Sequence, residues 1–399
     1  MRIAMMADVY KPHISGITNY IETNKRYLEQ AGHEVYVFTM GASAYSDDEP
    51  NIIRSRGLPM TDAGLHLNFF YSRSAKALLQ TMDVAHVHHP FLSGTLALRY
   101  CQPKNIPIVF TNHTRYDLYM QTYMPALPDA LGQGFLEAYM PTFCEAVDLV
   151  ISPSNGMAEV LRQLKVEAPI AVVPNGVDIQ RFMKVKQPLE RAEFGFKPED
   201  ILVIYAGRVA PEKNLPLLID AFAGVAQAVE NVRLLILGDG PALEELQKKA
   251  GESMASQRIQ FVGRVDYDQV PPYLAMCDTF VTPSVSEVHP LSVIEGMAAG
   301  LPVLGIRSPG VSDTVEHGVT GLLSENDLAS FAAQLTRLCL QSEFRKQMGK
   351  AARKASLRYD ITKTAPAVVD QYKAIIRDHR PRERGISRQL RKILEKLRA

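Results

Sequence analysis

The chain has no tryptophan among its 399 residues and only four cysteines: Cys101, Cys144, Cys277 and Cys339. They are scattered, with no Cys-x-x-Cys pair. That excludes a disulfide framework and a cysteine-built zinc site, and it fits a reducing compartment. Charge of either sign is not in excess: 44 Lys and Arg face 43 Asp and Glu, a net of +1. No global field attracts a polyanion, so a general nucleic-acid partner is not expected. Long apolar runs are missing as well. The opening Met-Arg-Ile-Ala-Met-Met-Ala stops at Asp8, too soon for a signal peptide and too short for a membrane span. The expectation is a cytosolic protein, free or bound to a membrane surface.

What is present is a regular alternation. Apolar residues make up 46% of the chain, and its length suits two or three domains with large cores. Short apolar runs at 2–7, 34–39, 84–88, 107–111, 147–151 and 170–173 read as strands, with a helix over 16–31. The pattern restarts after Pro174-Asn175-Gly176-Val177-Asp178, with strands at 201–206, 232–237, 259–262, 279–282 and 302–305. Alternating strands and helices imply an α/β fold with parallel sheets. The economical division is an N-terminal Rossmann-like domain (1–173), a linker (174–182) and a second such domain (183–358). Residues 344–378 read as helical; 359–380 are expected to pack back on the N-terminal domain, and 381–399 form a basic tail. In such a pair the ligand-binding ends of both sheets face one cleft.

Chemistry concentrates at strand ends. Gly207-Arg208-Val209-Ala210-Pro211-Glu212-Lys213 follows a buried strand directly: Gly207 lets backbone approach a ligand, while Arg208 and Lys213 supply two cations. Fixed cations there suit a leaving group whose negative charge grows as its bond breaks. Further on, Glu287 and Glu295 bracket a helix that opens near Leu291 and presents free N–H groups to an anion. Two local patterns read otherwise. Asp266-Tyr267-Asp268 fits a metal-binding Asp-x-Asp, but it precedes a helical stretch after Gly263 and is better explained by N-capping. His86, His88 and His89 lack the carboxylate or cysteine help a divalent ion needs, and an active-cleft wall is the better account.

Gly207-Arg208-x4-Lys213, Glu287-x7-Glu295 and Gly300-Leu301-Pro302-Val303 resemble glycosyltransferase family 4, whose members have the GT-B fold. The likeness spans about residues 1 to 360 and includes the 174–178 link, Gly238-Asp239-Gly240-Pro241 and Gly318-Val319-Thr320-Gly321-Leu322-Leu323. It implies retention of anomeric configuration, a nucleotide-sugar donor on the C-terminal domain and an acceptor on the N-terminal one. It implies a glycine-rich loop at Ser15-Gly16-Ile17 against the donor phosphates, and His113 near the reacting sugar. It counts Gly263 and Ser292 among the donor contacts with Gly207, Arg208, Lys213, Glu287, Leu291 and Glu295. No metal or cofactor is implied beyond a UDP- or GDP-hexose donor. Two positions depart from the pattern. Val288-His289-Pro290 replaces a Gly-x-Gly, leaving Pro290 without an N–H and His289 as a substitute donor contact. Asp313 stands where the family usually has Glu.

The aromatic and methionine-rich stretch from Thr111 to Met124, with Tyr10 and His13, is similar to bacterial diacylglycerol glucosyltransferases within the family. Tyr10, His13, Tyr116 and Tyr119 are the implied acceptor contacts, for a lipid acceptor. From Arg377 onward nine Lys and Arg oppose three acids, and Ile386, Leu390, Ile393, Leu394 and Leu397 share one helical face. A polybasic amphipathic segment binds anionic membrane; packing on the protein itself is the alternative. A soluble acceptor, or a sugar-nucleotide 2-epimerase using the same cleft, remains open.

Overall fold

The computed structural model describes residues 1–41, 45–59, 66–67, 70–118 and 129–380. The basic tail at 381–399 and Tyr119 lie outside them. The first sheet uses β1 (Arg2–Met6), β2 (Glu34–Gly41) and β3 (Ile52–Arg56). A small hairpin, β4 (Leu58–Pro59) with β5 (His66–Leu67), follows. The sheet is completed by β6 (Val84–Val87), β7 (Ile108–Thr111), β8 (Leu149–Ser152) and β9 (Ile170–Val172), in the order β3-β2-β1-β6-β7-β8-β9. The second sheet comprises β10 (Ile201–Ala206), β11 (Val232–Leu237), β12 (Ile259–Gly263), β13 (Thr279–Thr282), β14 (Val303–Ile306) and β15 (Gly321–Ser324). Its order is β12-β11-β10-β13-β14-β15. Within both sheets the paired strands run parallel. The two domains are Rossmann-like.

Both faces of each sheet are covered, which is why the central strands are continuous apolar runs rather than alternating ones. In β1, Ala4 and Met6 enter the core on one face, while Ile3 and Met5 enter the core on the other. In β10, Val203 and Tyr205 divide from Leu202 and Ile204 in the same way. The strand order reverses at β1 and again at β10, so the loops leaving these strands open onto the crevice where ligands bind in such sheets.

The structure adds two strands to the sequence reading and divides the C-terminal helical stretch. β3 and β15 were not anticipated: β3 reads Ile-Ile-Arg-Ser-Arg, too polar for a core strand, and β15 is four residues after a turn. Residues 344–378 are helical in two pieces, and the second begins close to the boundary expected at 359. The Ser342–Ser356 helix gives way to a 3-10 turn at Leu357–Tyr359, and Asp360 starts the next helix, Ile361–Asp378, by accepting from the Thr362 N–H at 2.9 Å. The break lets the linker in: Val177 N donates to Tyr359 O, and Ile361 N donates to Val177 O, both at 2.9 Å. The final helix then lays Val368, Val369 and Tyr372 against the first sheet.

Candidate active site

A cavity of about 740 Å³ lies between the two sheets at their C-terminal ends. Gly207, Arg208, Lys213, Glu287, Leu291, Ser292 and Glu295 line one side; Tyr10, His13, Ser15 and Gly16 line the other. Gly207 and Gly238 end adjacent strands, and their loops touch backbone to backbone. Gly207 N donates to Leu237 O, Val209 N donates to Asp239 O, and a Cβ on Gly238 would sit 1.8 Å from Gly207 O. With φ at +147° Gly238 also occupies a conformation that favours glycine. Gly263 ends β12 with φ +79° and accepts from Gly238 N, supporting this wall from behind, while the next residues, Arg264 and Val265, line it.

Lys213 Nζ meets Glu287 Oε1 at 2.7 Å, with side chains 20% and 16% exposed. Burial alone would raise the Glu287 carboxyl. The Lys213 ammonium, with hydrogen bonds from Lys213 and Ser284, outweighs burial and holds it below its ordinary value. For Lys213 burial opposes the charge, and Glu287 restores it well above the usual range. The site thus carries a fixed cation whose charge survives desolvation. The Leu291–Ala299 helix begins beside it. Its first intrahelical bond is Ile294 N to Pro290 O, so the N–H groups of Leu291 and Ser292 precede the ladder and open toward the cavity those residues line. Glu295 is one turn from Leu291, on the same face. Its carboxyl accepts from Tyr267 Oη at 2.6 Å and is raised to about 7, by burial, against the lowering effects of Tyr267 and Arg181.

Opposite, Ser15 caps the Gly16–Gln30 helix by accepting from Thr18 N, and Gly16 has open space where a Cβ would point. This second helix N-terminus also faces the cavity. The buried Tyr10 donates to Glu49 at 2.7 Å.

Several expected residues are directed elsewhere. His113 does not line the cavity: its Nε2 is 3.0 Å from His88 Nδ1, and Tyr20 packs edge-on against it at 4.7 Å. Burial, then His86 and His89, keep it neutral, well below its ordinary value. His86, His88 and His89 are not a cleft wall. His86 is fully buried between Tyr372 Oη and Thr111 Oγ1, each at 2.6 Å, and His89 accepts from the Asp8 N–H. His289 turns away from the cavity to pack on Tyr359 at 4.9 Å, since Asn175 holds its carbonyl, so it does not replace the missing backbone donor. Tyr116 packs edge-on against Phe91, away from the cavity. Neither Asp266 nor Asp268 caps with its side chain; Asp268 pairs with Arg181 instead. Sequence reading missed Tyr267, Arg264, Lys11 and Arg54, all of which line the cavity. Tyr267 stood inside the Asp-x-Asp pattern, where only the acids drew attention.

Residues 186–355 match the model for glycosyl transferases group 1, and residues 14–181 match that for glycosyltransferase family 4. The chain is a family 4 glycosyltransferase. It uses a sugar-nucleotide donor. Among curated relatives, the alpha-monoglucosyldiacylglycerol synthase of Streptococcus pneumoniae is 29% identical over 82% of this chain and 77% of its own length. The enzyme of the same name from Acholeplasma laidlawii is 29% identical, over 81% of this chain and 84% of its own. The N-acetyl-alpha-D-glucosaminyl L-malate synthase of Bacillus anthracis is 27% identical over 75% of each. In fold, the glycosyltransferase resembles Anabaena HepE, solved with UDP and glucose, at a TM-score of 0.76 and 18% identity, covering 94% of this chain and all of that one. These likenesses place both domains in the GT-B architecture.

Proposed function

We propose that this enzyme moves a hexose, with retention and without a metal, from a nucleoside diphosphate to the hydroxyl of a membrane lipid such as diacylglycerol. The two relatives named alpha-monoglucosyldiacylglycerol synthase, each matched over about four-fifths of this chain, support the acceptor most directly. The acceptor oxygen bonds to the anomeric carbon as that carbon's bond to the phosphate oxygen breaks. The electron pair leaves on the diphosphate, and the acceptor proton ends on the departing phosphate. Lys213 and Arg208 neutralise the growing charge, and the helix N-termini at Gly16 and Leu291 add N–H groups. Glu295 accepts hydroxyls of the nucleotide ribose. No described helix is long and apolar enough to cross a membrane, so access to lipid falls to the surface, through the tail at 382–399.

A donor-by-acceptor panel in excess EDTA, with products read by mass spectrometry and anomeric NMR, tests this reading. An α-linked hexosyl lipid made without divalent ions is expected. Transfer to soluble acceptors alone favours a metabolite glycosyltransferase, and free nucleotide released equally without acceptor favours an epimerase.

A further inference from the structure

The N-terminal wall of the cavity carries two cations, Lys11 and Arg54, and both are paired with carboxylates. Lys11 Nζ hydrogen-bonds Glu22 at 2.9 Å and has two further carboxylates near it, Glu49 at 3.2 Å and Asp48 at 3.6 Å. Arg54 gives Nε and Nη2 to the two oxygens of Asp47 at 2.7 and 2.6 Å, and Nη2 again to the Lys11 carbonyl. The Tyr45 ring covers the guanidinium at 4.7 Å, and Nη1 packs where a Cβ on Gly41 would come within 2.8 Å. Behind them Lys25, 2% exposed, is shared by Glu29 and Glu49. The internal segments outside the described residues (42–44, 60–65, 68–69 and 119–128) contain no Lys, Arg or His. On the opposite wall Lys213 pairs with one carboxylate rather than three. Lys213 gives one hydrogen bond to Glu287, and an ammonium has three to give.

We propose that Asp47 and Glu49 select the acceptor by charge. By pairing with Arg54 and Lys11 they fit this wall to an uncharged hydroxyl compound and refuse one with a phosphate or carboxylate beside the reacting hydroxyl. An entering anion would have to displace a carboxylate from its cation or lie among uncompensated acids, and like charges in a partly desolvated site repel strongly. The inference rests on the proposed placement of the acceptor against the N-terminal wall, and it names the residues that set specificity there. Both kinds of acceptor occur in the names of the relatives, malate in one and a diacylglycerol in two.

The test uses the full chain, UDP-glucose as donor probe, and two acceptor pairs, in each of which one member is uncharged and the other carries a phosphate. One pair is dioctanoylglycerol and dioctanoyl phosphatidylglycerol in neutral-detergent micelles; the other is glycerol and glycerol 3-phosphate in solution. In the wild type, kcat/KM should favour the neutral member about 100-fold or more, the scale of a mispaired charge. Asp47→Asn should free a guanidinium donor and narrow that ratio about tenfold, by gain on the anionic member. Asp47→Asn/Glu49→Gln should narrow it further. The single variant leaves the Lys25–Glu49 pair intact, and thermal melting reports folding of both. A wild-type ratio near one overturns the proposal, as does a ratio unmoved in both folded variants. Transfer confined to the glycerol pair removes the lipid reading alone; the ratio within that pair still decides for or against charge selection.

Discussion

Replacing Lys213 separates its electrostatic role in the reaction from its role as a counterion. Lys213→Met leaves the Glu287 carboxylate without its 2.7 Å partner in a site only 16% exposed. Breaking a fully buried pair costs about 3–5 kcal/mol; the residual exposure here reduces that to roughly 2–3 kcal/mol. The melting temperature of the C-terminal domain should fall by roughly 5–10 °C. Glu287 should also take up a proton at higher pH than in the wild type, because the cation that lowered it is gone. Turnover should fall about 10²–10³-fold, the scale for one transition-state contact. In Lys213→Met/Glu287→Gln no charge is orphaned, so melting should recover most of its loss while turnover does not. Calorimetry and steady-state kinetics on the four proteins give the cycle. Recovery of turnover with stability would refute a role for Lys213 beyond pairing with Glu287, and near-normal turnover in the single variant would move the leaving-group site elsewhere.

Glu295 makes a pH-dependent contribution: its folded value, about 7, lies above the ordinary 4.5. Ionising it in the free enzyme therefore costs stability; the cost is absent below about 4.5, grows up to 7 and is complete above it. Glu295→Gln should raise the melting temperature at pH 8 but not at pH 4.5, and the wild-type donor KM should rise as pH falls below 7, because a protonated carboxyl accepts hydroxyls less well. A donor KM flat from pH 6 to 8 would contradict this. Val288 is buried in the N-terminal core although it follows Glu287, and Ser154 Oγ donates to its carbonyl at 2.7 Å. Val288→Asp should part the domains, seen as a larger radius of gyration by small-angle scattering together with lost turnover; unchanged scattering would exclude that coupling. Truncation after Pro381 should spare transfer to short-chain acceptors yet sharply reduce co-sedimentation with anionic vesicles, and salt should mimic the loss. Equal vesicle binding by both chains would exclude a membrane role for the tail.

The amino-acid sequence by itself determined the two-sheet plan and much of the C-terminal wall of the cavity. Strands buried on both faces must be continuous apolar runs, and a turn that brings backbone close to another loop at a strand end needs glycine, so both leave local marks, as at Ile201–Ala206 with Gly207-Arg208. Edge strand β3 left none, since its Arg54 and Arg56 serve polar surroundings rather than a core. Tertiary structure alone decided what faces the cavity. His113, His289 and Tyr116 sit on the expected loops, yet each ring is turned by a partner distant in sequence: His88, Tyr359 and Phe91. Asp313, an unexplained departure in the sequence, accepts from the Gly156 N–H of the other domain at 2.7 Å. The Lys213–Glu287 pair spans 74 positions and the Asp313–Gly156 bond 157. Periodicity records which face of an element is buried, but not which side chain from another element meets it there.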